Sequence, residues 1–435
     1  MTAPWKAFMN VRRNELPLAL LMFAYFFLVI SSFWILKPIK KTLFIRHYDQ
    51  TGVDIFSRHL LGSQAELIAK VLNMFVAFLA VAVFTWLARR FRRQQLTLIF
   101  SLFFMVCYAA YSRLIGAPGD ATVWSFYLFG DLFSTLMVAT FFAFLNDSVT
   151  PDSARRIYGL IGLGGVAGGV FGSTFVRVWI GRIDTSTWLW ICFGIALLII
   201  AVAQWAGRLA EPGIPAAAEA PPEHPPKRGN VAFEGARLVF RSRYLLSIVG
   251  IVGLYEIVST VMDFQFTATI EHYLDGEAIG RQFSTVFTIT NMVSMLVQFF
   301  LTGFIMTRFG LTTALLVLPA AVIVGSFGFL SFPILWVGSF LNTADNGFSY
   351  SINQSAKEAL YVPTSRDEKY KAKAFIDMFV QRFAKAIAVG TSLLITMLFR
   401  DFGTIRYLSF FTVVIAVIWV FAARYAGRTF EERSK

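Results

Sequence analysis

The residues most able to do chemistry in this chain are three lysines in the sequence Leu-Lys-Pro-Ile-Lys-Lys, namely Lys37, Lys40 and Lys41. They close the first long apolar run, where the chain should leave the hydrocarbon of a membrane. A lysine at the bilayer centre costs about 2.5–3.5 kcal/mol on insertion scales. Arg46 and Arg58 follow in the next loop. This concentration of positive charge beside a membrane span predicts a binding site for an anion.

Ionisable residues inside other apolar runs add to this candidate site. Such residues are costly in a bilayer and are functional candidates by default. In the first half of the chain they are Glu66, Lys70 and Asp131. In the second half they are Glu256, Asp263, Asp345, Lys373, Asp377, Arg382 and Lys385. The chemistry that they could supply is electrostatic, namely holding and releasing an anion or carrying a proton.

Helical spacing suggests partners for the acids. Glu66 and Lys70 are four residues apart and share a helix face, so they form either a self-neutralising pair or part of the site. Glu256 and Asp263 are seven residues apart and also share a face. They could pair with a lysine of the first or eleventh span, compete with a substrate for those lysines, or carry a proton. The spacing leaves these alternatives open.

Cations at the start of the eleventh span form the second part of the expected site. Lys373 and Asp377 are an i,i+4 pair of opposite charge. Arg382 and Lys385 have no acid at helical spacing on their own face, so a protein partner or a bound anion must neutralise them. We favour a bound anion, because the first span presents cations too. Lys40 and Lys373 are therefore expected to enter one central cavity from opposite halves of the chain.

Composition indicates that membrane helices must position these residues. The chain is 57% hydrophobic and only 15% charged, and several apolar runs approach the roughly 20 residues that cross a bilayer. The two cysteines lie inside such runs, and the sequence has no disulfide framework, metal-ligand spacing or nucleophile–base set. We therefore expect an integral membrane protein that is not an enzyme, with no cofactor, no metal site and, despite its net charge of +13, no nucleic-acid partner.

The apolar runs predict an all-α fold of about twelve transmembrane helices in two six-helix bundles. The first six spans are residues 17–36, 67–88, 96–114, 122–145, 157–180 and 187–206. The second six are residues 244–268, 283–306, 310–329, 333–351, 374–398 and 407–424. A solvated linker rich in proline and alanine separates the groups. The predicted organisation is an N-terminal bundle at 1–206, a linker at 207–241 and a C-terminal bundle at 242–435.

Charge in the short loops predicts the orientation. Arg89, Arg90 and Arg155 lie in loops on the side that also carries the linker and both termini, and an excess of Lys and Arg marks the cytoplasmic side. The basic loop at 37–65 breaks this pattern, because it falls on the outer side. We expect both termini in the cytoplasm and the protein in a bacterial inner membrane.

A glycine-rich stretch covers residues 159–172. No strand precedes it and it lies in an apolar span, so it is not interpreted as a nucleotide-binding loop. Gly164, Gly168 and Gly172 recur every fourth residue, which predicts a small-residue face for close helix packing.

Six helices, a basic linker and six helices resemble the layout of the major facilitator superfamily, in which two bundles rock about a central cavity. Within this layout, several segments resemble the nucleotide transporter family of plastids and intracellular bacteria, the ATP:ADP antiporters. They are residues 36–43, 65–70, 146–162, 356–363 and 371–377. The last two are the most specific, because the family writes them as Lys-Glu-Met-Ala-Tyr-Ile-Pro and Lys-Gly-Lys-Ala-Ala-Ile-Asp.

The resemblance implies roles for individual residues. Lys40 and Lys373 match functional lysines of the family, Asp131 falls near its fourth-span acid, and Asp263 matches its seventh-span glutamate. The predicted substrate-binding set is Lys40, Lys373, Lys37, Lys41, Asp131, Asp263, Arg382 and Lys385. The predicted coupling or gating set is Glu256, Asp377, Glu66, Lys70, Lys357 and Glu358. The chain departs from the family where Phe266-Thr267 replace Trp-Lys and Ser349 replaces a lysine, and Glu256 is an additional acid.

The function that the resemblance implies is exchange of nucleotides such as ATP and ADP by alternating access, in a protein that acts as a monomer. One alternative is a proton- or ion-coupled facilitator for another anionic, phosphorylated metabolite, with Glu256 and Asp263 as the coupling acids. Another is a non-transporting membrane receptor or scaffold built on the same fold.

Overall fold

A computed structural model of the chain describes residues 12–49, 51–55, 58–149, 151–209, 231–365, 368, 372–398 and 401–434. Their regular structure is helical, apart from one antiparallel hairpin of β1 (Val53–Ile55) and β2 (Arg58–Leu60). Ten helices among these residues are long and apolar enough to cross a membrane. The all-α membrane fold predicted from the sequence is confirmed, and the hairpin in the first loop is an addition to it.

The helices follow one another along the chain with short connections. Up to residue 241 they are α1 (Leu16–Tyr48), α2 (Gly62–Ala88), α3 (Arg93–Leu114), α4 (Asp120–Ser148), α5 (Pro151–Trp179), α6 (Thr185–Leu209) and α7 (Val231–Arg241). The later ones are α8 (Arg243–Tyr273), α9 (Gly276–Leu296), α10 (Gly303–Arg308), α11 (Gly310–Ser331), α12 (Leu335–Phe348), α13 (Gln354–Ala359), α14 (Lys373–Phe375), α15 (Gln381–Leu398) and α16 (Tyr407–Ser434). A 3-10 turn at Phe402–Arg406 leads into α16.

Three π-helical stretches connect pairs of these helices into continuous rods. They are Val297–Thr302 between α9 and α10, Ser349–Asn353 between α12 and α13, and Ile376–Val380 between α14 and α15. The second stretch begins in the predicted span 333–351, and the third lies in the predicted span 374–398. These two spans are too polar to be among the ten apolar helices. Counted with these two rods, the described residues contain the twelve helical rods that the sequence predicts. A π turn inside an α-helix frequently marks a functional site.

Helix α1 is longer than the predicted first span, and this corrects the sequence analysis. It runs for 33 residues and includes Pro38, whereas the prediction ended the span at residue 36 and placed the lysines in a loop. At 1.5 Å per residue, α1 is about 50 Å long, against a hydrocarbon core of about 30 Å. Pro38 removes one backbone donor and its ring crowds the preceding turn, but Phe44, Ile45 and Tyr48 beyond it are buried. Packing therefore continues the helix through the basic segment.

The chain divides into two compact units. Unit 1 comprises Met1–Gly52, Leu72–Glu223 and Asp275–Thr288, and unit 2 comprises Val53–Val71, His224–Leu274 and Ile289–Lys435. Each unit has its own core of buried aliphatic and aromatic side chains, with Phe126 and Phe133 in unit 1 and Val258 and Phe264 in unit 2. The division of the sequence at the linker stays a prediction.

The glycine face of α5 packs against the backbone of α1, as predicted. A Cβ atom at Gly164, Gly168 or Gly172 would lie 2.5 Å from a carbonyl oxygen of α1. Such close approach is possible only because glycine has no side chain. At the start of the two helices, Arg156 Nη2 lies 2.5 Å from Glu15 Oε1. The pair α1–α5 is thus held along its length by backbone contact and at its end by an ion pair.

The predicted linker is only partly described. Residues 210–230 lie outside the described residues. On either side of them, α6 continues to Leu209 and residues 231–241 form α7, so helix extends into both ends of the predicted linker, whose bounds stay a prediction. Helix α7 has buried positions one turn apart at Gly235 and Val239, so packing that a composition argument overlooks stabilises it.

Candidate functional site

The lysine cluster, consisting of Lys37, Lys40 and Lys41, lies inside α1 in unit 1. Lys40 and Lys41 are buried, with only 5% and 4% of their surface exposed. An ammonium group at such a position must be compensated, because an uncompensated buried charge costs several kcal/mol. The environment of each lysine therefore shows what replaces water around it.

Asp131 of α4 compensates Lys40. The ammonium forms an ion pair with the Asp131 carboxylate and lies 3.5 Å from the carbonyl oxygen of Tyr127. The other carboxylate oxygen of Asp131 accepts a hydrogen bond of 2.7 Å from the Asn73 amide of α2. Asp131 is thus held by a cation on one side and by a neutral donor on the other. If an anion took Lys40 from it, Asn73 would still hold the carboxylate in place.

Gly130 gives the Lys40 side chain its path to Asp131. A Cβ atom at this position would lie 2.6 Å from Lys40 Cδ, which is well inside van der Waals contact. The Tyr127 ring lies one turn earlier on α4, with its centroid 4.4 Å from Lys40 Nζ. Sequence analysis missed Asn73, Gly130 and Tyr127, although an asparagine three residues after Lys70 in an apolar span was a visible signal.

Aromatic rings surround the other two lysines of the cluster. Lys37 Nζ lies 4.5 Å from the Trp34 ring centroid and 4.8 Å from that of Phe287. Lys41 Nζ lies 5.2 Å from the Phe283 centroid. Cation–π contacts of this kind are worth about 0.5–2 kcal/mol each and leave the positive charge in place. Aromatic rings therefore stabilise the ammonium groups of Lys37 and Lys41.

In unit 2, the carboxylate cluster consists of Glu256, Asp263 and Asp345. Asp263 Oδ2 lies 2.5 Å from Lys70 Nζ, and its other oxygen accepts a 3.3 Å hydrogen bond from Asn342. Lys70 also lies 3.7 Å from Glu66, so the expected i,i+4 pair forms. Asp263 therefore forms an ion pair with a lysine of α2.

The other two acids of the carboxylate cluster have different partners. Glu256 Oε1 lies 3.0 Å from Lys385 Nζ, so this acid pairs with a lysine of the eleventh span, which is one of the alternatives that the spacing left open, and Lys385 has a protein partner; the role of Lys385 in substrate binding stays a prediction. Asp345 is 1% exposed and accepts a 2.6 Å hydrogen bond from Ser259. All three carboxylates act electrostatically on Tyr350. The cluster thus concentrates negative charge beside the π-helical stretch at residues 349–353.

The motif cluster consists of Lys357, Glu358, Lys373 and Asp377, from the two segments that match the antiporter family most specifically. Lys373 Nζ lies 2.5 Å from Glu358 Oε2 on α13, a partner that the i,i+4 pattern did not predict. Asp377 lies in the first turn of the π-helical stretch Ile376–Val380, in which residues five apart rather than four are stacked. It lies within electrostatic range of the other three. Two segments separated in sequence thus form one group of alternating charges.

The predicted site residues therefore fall into three groups, each within one unit. Asp131 joins the lysine cluster, while Glu66 and Lys70 join the carboxylate cluster. Arg382 is half-buried on α15, one turn before Lys385. The shared cavity expected for Lys40 and Lys373 stays a prediction.

Comparison with known proteins gives two family matches. The sequence profile of the Major Facilitator Superfamily matches residues 22–366, and the profile described as TLC ATP/ADP transporter matches residues 333–430. The second match covers all four residues of the motif cluster.

Among similar proteins, the chloroplast ADP,ATP carrier protein 1 of Arabidopsis thaliana is 22% identical over 72% of this chain and 55% of its own length. The chain thus spans about half of that carrier. The ADP,ATP carrier protein 1 of Chlamydia muridarum is 24% identical over 97% of this chain and 90% of its own length. In structure, the nucleoside transporter NupG is similar with a TM-score of 0.66 at 12% identity, over 96% of this chain and 100% of that one. At this identity, the similarity to NupG shows the fold alone.

Proposed function

Because the chain belongs to the major facilitator superfamily, whose members are membrane transporters rather than enzymes, we propose that it exchanges nucleotides of the ATP and ADP type across a membrane by alternating access. The observation that carries the proposal is the buried lysine cluster of α1, in which Lys40 is neutralised by Asp131. The matches to ADP,ATP carriers of Arabidopsis and Chlamydia support the choice of substrate.

The resting ion pairs explain why such a site would exchange rather than leak. Removing one partner of a buried ion pair is strongly destabilising, by about 3–5 kcal/mol, because the other charge stays buried. An arriving phosphate group takes over Lys40 and leaves Asp131 with its Asn73 hydrogen bond. When the phosphate leaves, Asp131 recovers Lys40. We propose that the re-formed Lys40–Asp131 pair locks the empty site, so that the conformational change is coupled to a bound nucleotide.

Lysine is suited to this role, because its ammonium is a compact point charge that accepts phosphates in several geometries. ATP and ADP differ by one charge, so their exchange is electrogenic. A membrane potential of 100 mV then contributes about 2.3 kcal/mol per exchanged charge. Lys373 and the motif cluster would contact the same nucleotide from the second half of the chain, as the family resemblance implies.

The test uses purified protein in liposomes. Uptake of labelled ATP should be fast into liposomes preloaded with ADP and near background into empty ones. Lys40→Ala should abolish exchange, whereas Lys227→Ala, which removes a lysine of the linker, should not. Equal uptake into loaded and empty liposomes would refute antiport. Absence of ATP uptake and of ATP binding would leave the receptor or scaffold alternative.

A second candidate function is proton-coupled transport of a phosphorylated anion. The observation that favours it is Asp345, a carboxylate that is 1% exposed and hydrogen-bonded to Ser259, in a group with Glu256 and Asp263. Carboxyl groups buried in membrane spans form the proton relays of many transporters, so this group is a candidate proton carrier. Uptake into empty liposomes that follows an inward proton gradient, and that Asp345→Asn abolishes, would select this function over exchange.

The cellular setting is part of the proposal. We infer a monomer in a bacterial inner membrane with both termini in the cytoplasm. The similarity to Chlamydia carriers supports a bacterial location, and the arginine-rich loops support the orientation. Light scattering of the purified protein measures the mass of the particle and tests the monomer.

A further inference from the structure

A cavity lies in unit 1 at the C-terminal end of α1, and its lining does not include the lysine cluster. Its volume is about 630 Å³, within the 300–1,000 Å³ that is usual for small-molecule sites. Four segments form it: the end of α1, the α3–α4 loop, the α5–α6 loop and the start of α9. Its lining includes the apolar side chains of Ile39, Ile115, Ile183 and Trp188. The cavity is thus a built concave surface rather than a gap between two side chains.

Two guanidinium groups line this cavity without forming an ion pair among the described residues. Arg46 comes from the last turn of α1, and Arg182 comes from the loop after α5. Arg182 lies over the Trp179 ring, 5.6 Å from its centroid, which orients the guanidinium and leaves its charge in place. Asp49, three residues after Arg46, acts on it electrostatically but is not among the cavity-lining residues. Both guanidinium groups can therefore reach a ligand.

The two carboxylates that line the cavity are already engaged. Asp184 accepts hydrogen bonds from the backbone and the hydroxyl of Thr187, at 3.1 and 2.6 Å, and therefore caps the start of α6. The hydrogen bond from the Thr187 hydroxyl has the larger effect, and together with the bond from the Thr187 backbone it lowers the pKa of Asp184 below its ordinary value. Glu277 lies 3.6 Å from Arg281, its i,i+4 partner on α9. His47, at the rim, is 3.0 Å from Asp120. The charge that remains available to a ligand is therefore positive.

From this arrangement we propose that the cavity is a peripheral binding site for a phosphate-bearing ligand, held by Arg46 and Arg182. Guanidinium groups bind phosphate through two parallel hydrogen bonds, and such charge-assisted bonds are about twice as strong as neutral ones. The phosphate could belong to a free nucleotide or to a lipid headgroup. The inference does not rest on nucleotide transport, because a protein that transports no nucleotide could still bind phosphate here.

The experiment measures binding rather than uptake. Protein with Lys40→Ala, which removes the central cation of the lysine cluster, is placed in phosphatidylcholine nanodiscs, and equilibrium binding of labelled ATP and of pyrophosphate is measured. Adding Arg46→Gln and Arg182→Gln should weaken this binding at least tenfold, since a hydrogen bond to a charged group contributes about 1.5–3 kcal/mol. The matched control is Arg90→Gln, because Arg90 also stacks on a tryptophan, 4.8 Å from the Trp86 centroid, and should leave binding unchanged.

A variant that is expected to strengthen binding distinguishes loss of the site from simple misfolding. Glu277→Gln removes a negative charge from the cavity and releases Arg281, so it should strengthen binding several-fold. The arginine variants could leave ATP binding unchanged but no longer retain the phosphatidylglycerol that co-purifies with the Lys40→Ala protein. In that case the ligand is a lipid headgroup. If neither ATP, pyrophosphate nor phosphatidylglycerol responds to the arginine variants, or if glutamate binds as well as pyrophosphate, the proposal is overturned.

Discussion

Substitution of Gly130 by alanine tests the role of Lys40 without changing any charge. The new Cβ would lie 2.6 Å from Lys40 Cδ, 3.5 Å from Cγ and 3.6 Å from Cε. Carbon atoms in contact are about 3.5–4.0 Å apart, so Cδ must move by about 1 Å. The lysine then leaves its position between Asp131 and the Tyr127 carbonyl. Complete loss of one partner of a buried ion pair costs about 3–5 kcal/mol, and a displaced pair loses part of this.

We expect kcat/KM for ATP exchange to fall at least tenfold, which corresponds to about 1.4 kcal/mol of lost transition-state stabilisation. The folded protein should survive, because alanine is favoured over glycine inside a helix by about 0.5–1 kcal/mol and the obstructed side chain is flexible. The assay is the initial rate of labelled ATP uptake into ADP-loaded liposomes. Gly194→Ala is the control, since a Cβ there would meet nothing within 4 Å.

A double-mutant cycle makes this prediction specific to Lys40. If the alanine acts through the lysine, Gly130→Ala should have no further effect in protein that already carries Lys40→Ala. ATP binding by equilibrium titration can be measured in both backgrounds even where transport is lost. A wild-type exchange rate for Gly130→Ala, or additive losses of binding in the cycle, would refute the path proposed for the Lys40 side chain.

Three further predictions concern stability and topology. The Arg156 guanidinium lowers the pKa of Glu15 from 4.5 to about 2. The ion pair therefore contributes fully to stability above pH 4.5, and this contribution is lost as the pH falls towards 2. Glu15→Gln should lower the melting temperature at pH 7, and the difference from the unmutated protein should shrink between pH 4.5 and 2. Gly168→Leu should force α5 from α1 and lower the free energy of unfolding by about 1–3 kcal/mol or more, measured by thermal unfolding, whereas Gly194→Leu should have a smaller effect. In a cysteine-free background, Pro118→Cys should react with an impermeant maleimide added to intact cells, and protection of this position would contradict the predicted orientation.

Local sequence patterns predict much of the fold. The number of helical rods follows from the length of the apolar runs. The glycine face of α5 and the Glu66–Lys70 pair follow from a spacing of four residues, which geometry fixes within one helix. The end of α1 could not be predicted in this way. Proline and three lysines indicate a boundary, but burial of Phe44 and Tyr48, together with the Asp131 partner of Lys40, outweighs that local signal.

Partners between helices were the hardest part of the site to predict. The charges themselves were identifiable, because an ionisable residue in an apolar run is rare. Which of them meet depends on the packing of separate helices and on the π turns, which shift side chains out of the i,i+4 series. Asp263 pairs with Lys70, and Lys373 with Glu358, and spacing within one helix identifies neither pair. Asn342, which holds Asp263, carries no charge and gave no such signal.

The backbone contact between α1 and α5 has a consequence for how the two halves of the chain can respond to a ligand. Gly164, Gly168 and Gly172 bring the two helix backbones into direct contact. We therefore expect the lysine cluster to be rigid, with a geometry that is set before any ligand binds. The carboxylate and motif clusters instead adjoin π turns, each of which holds one residue more than an α turn. Conversion of such a turn to regular α-helix rotates every later side chain by about 100°. Unit 1 would therefore hold its lysine cluster in one fixed geometry, whereas unit 2 could change the register of the charges that it carries.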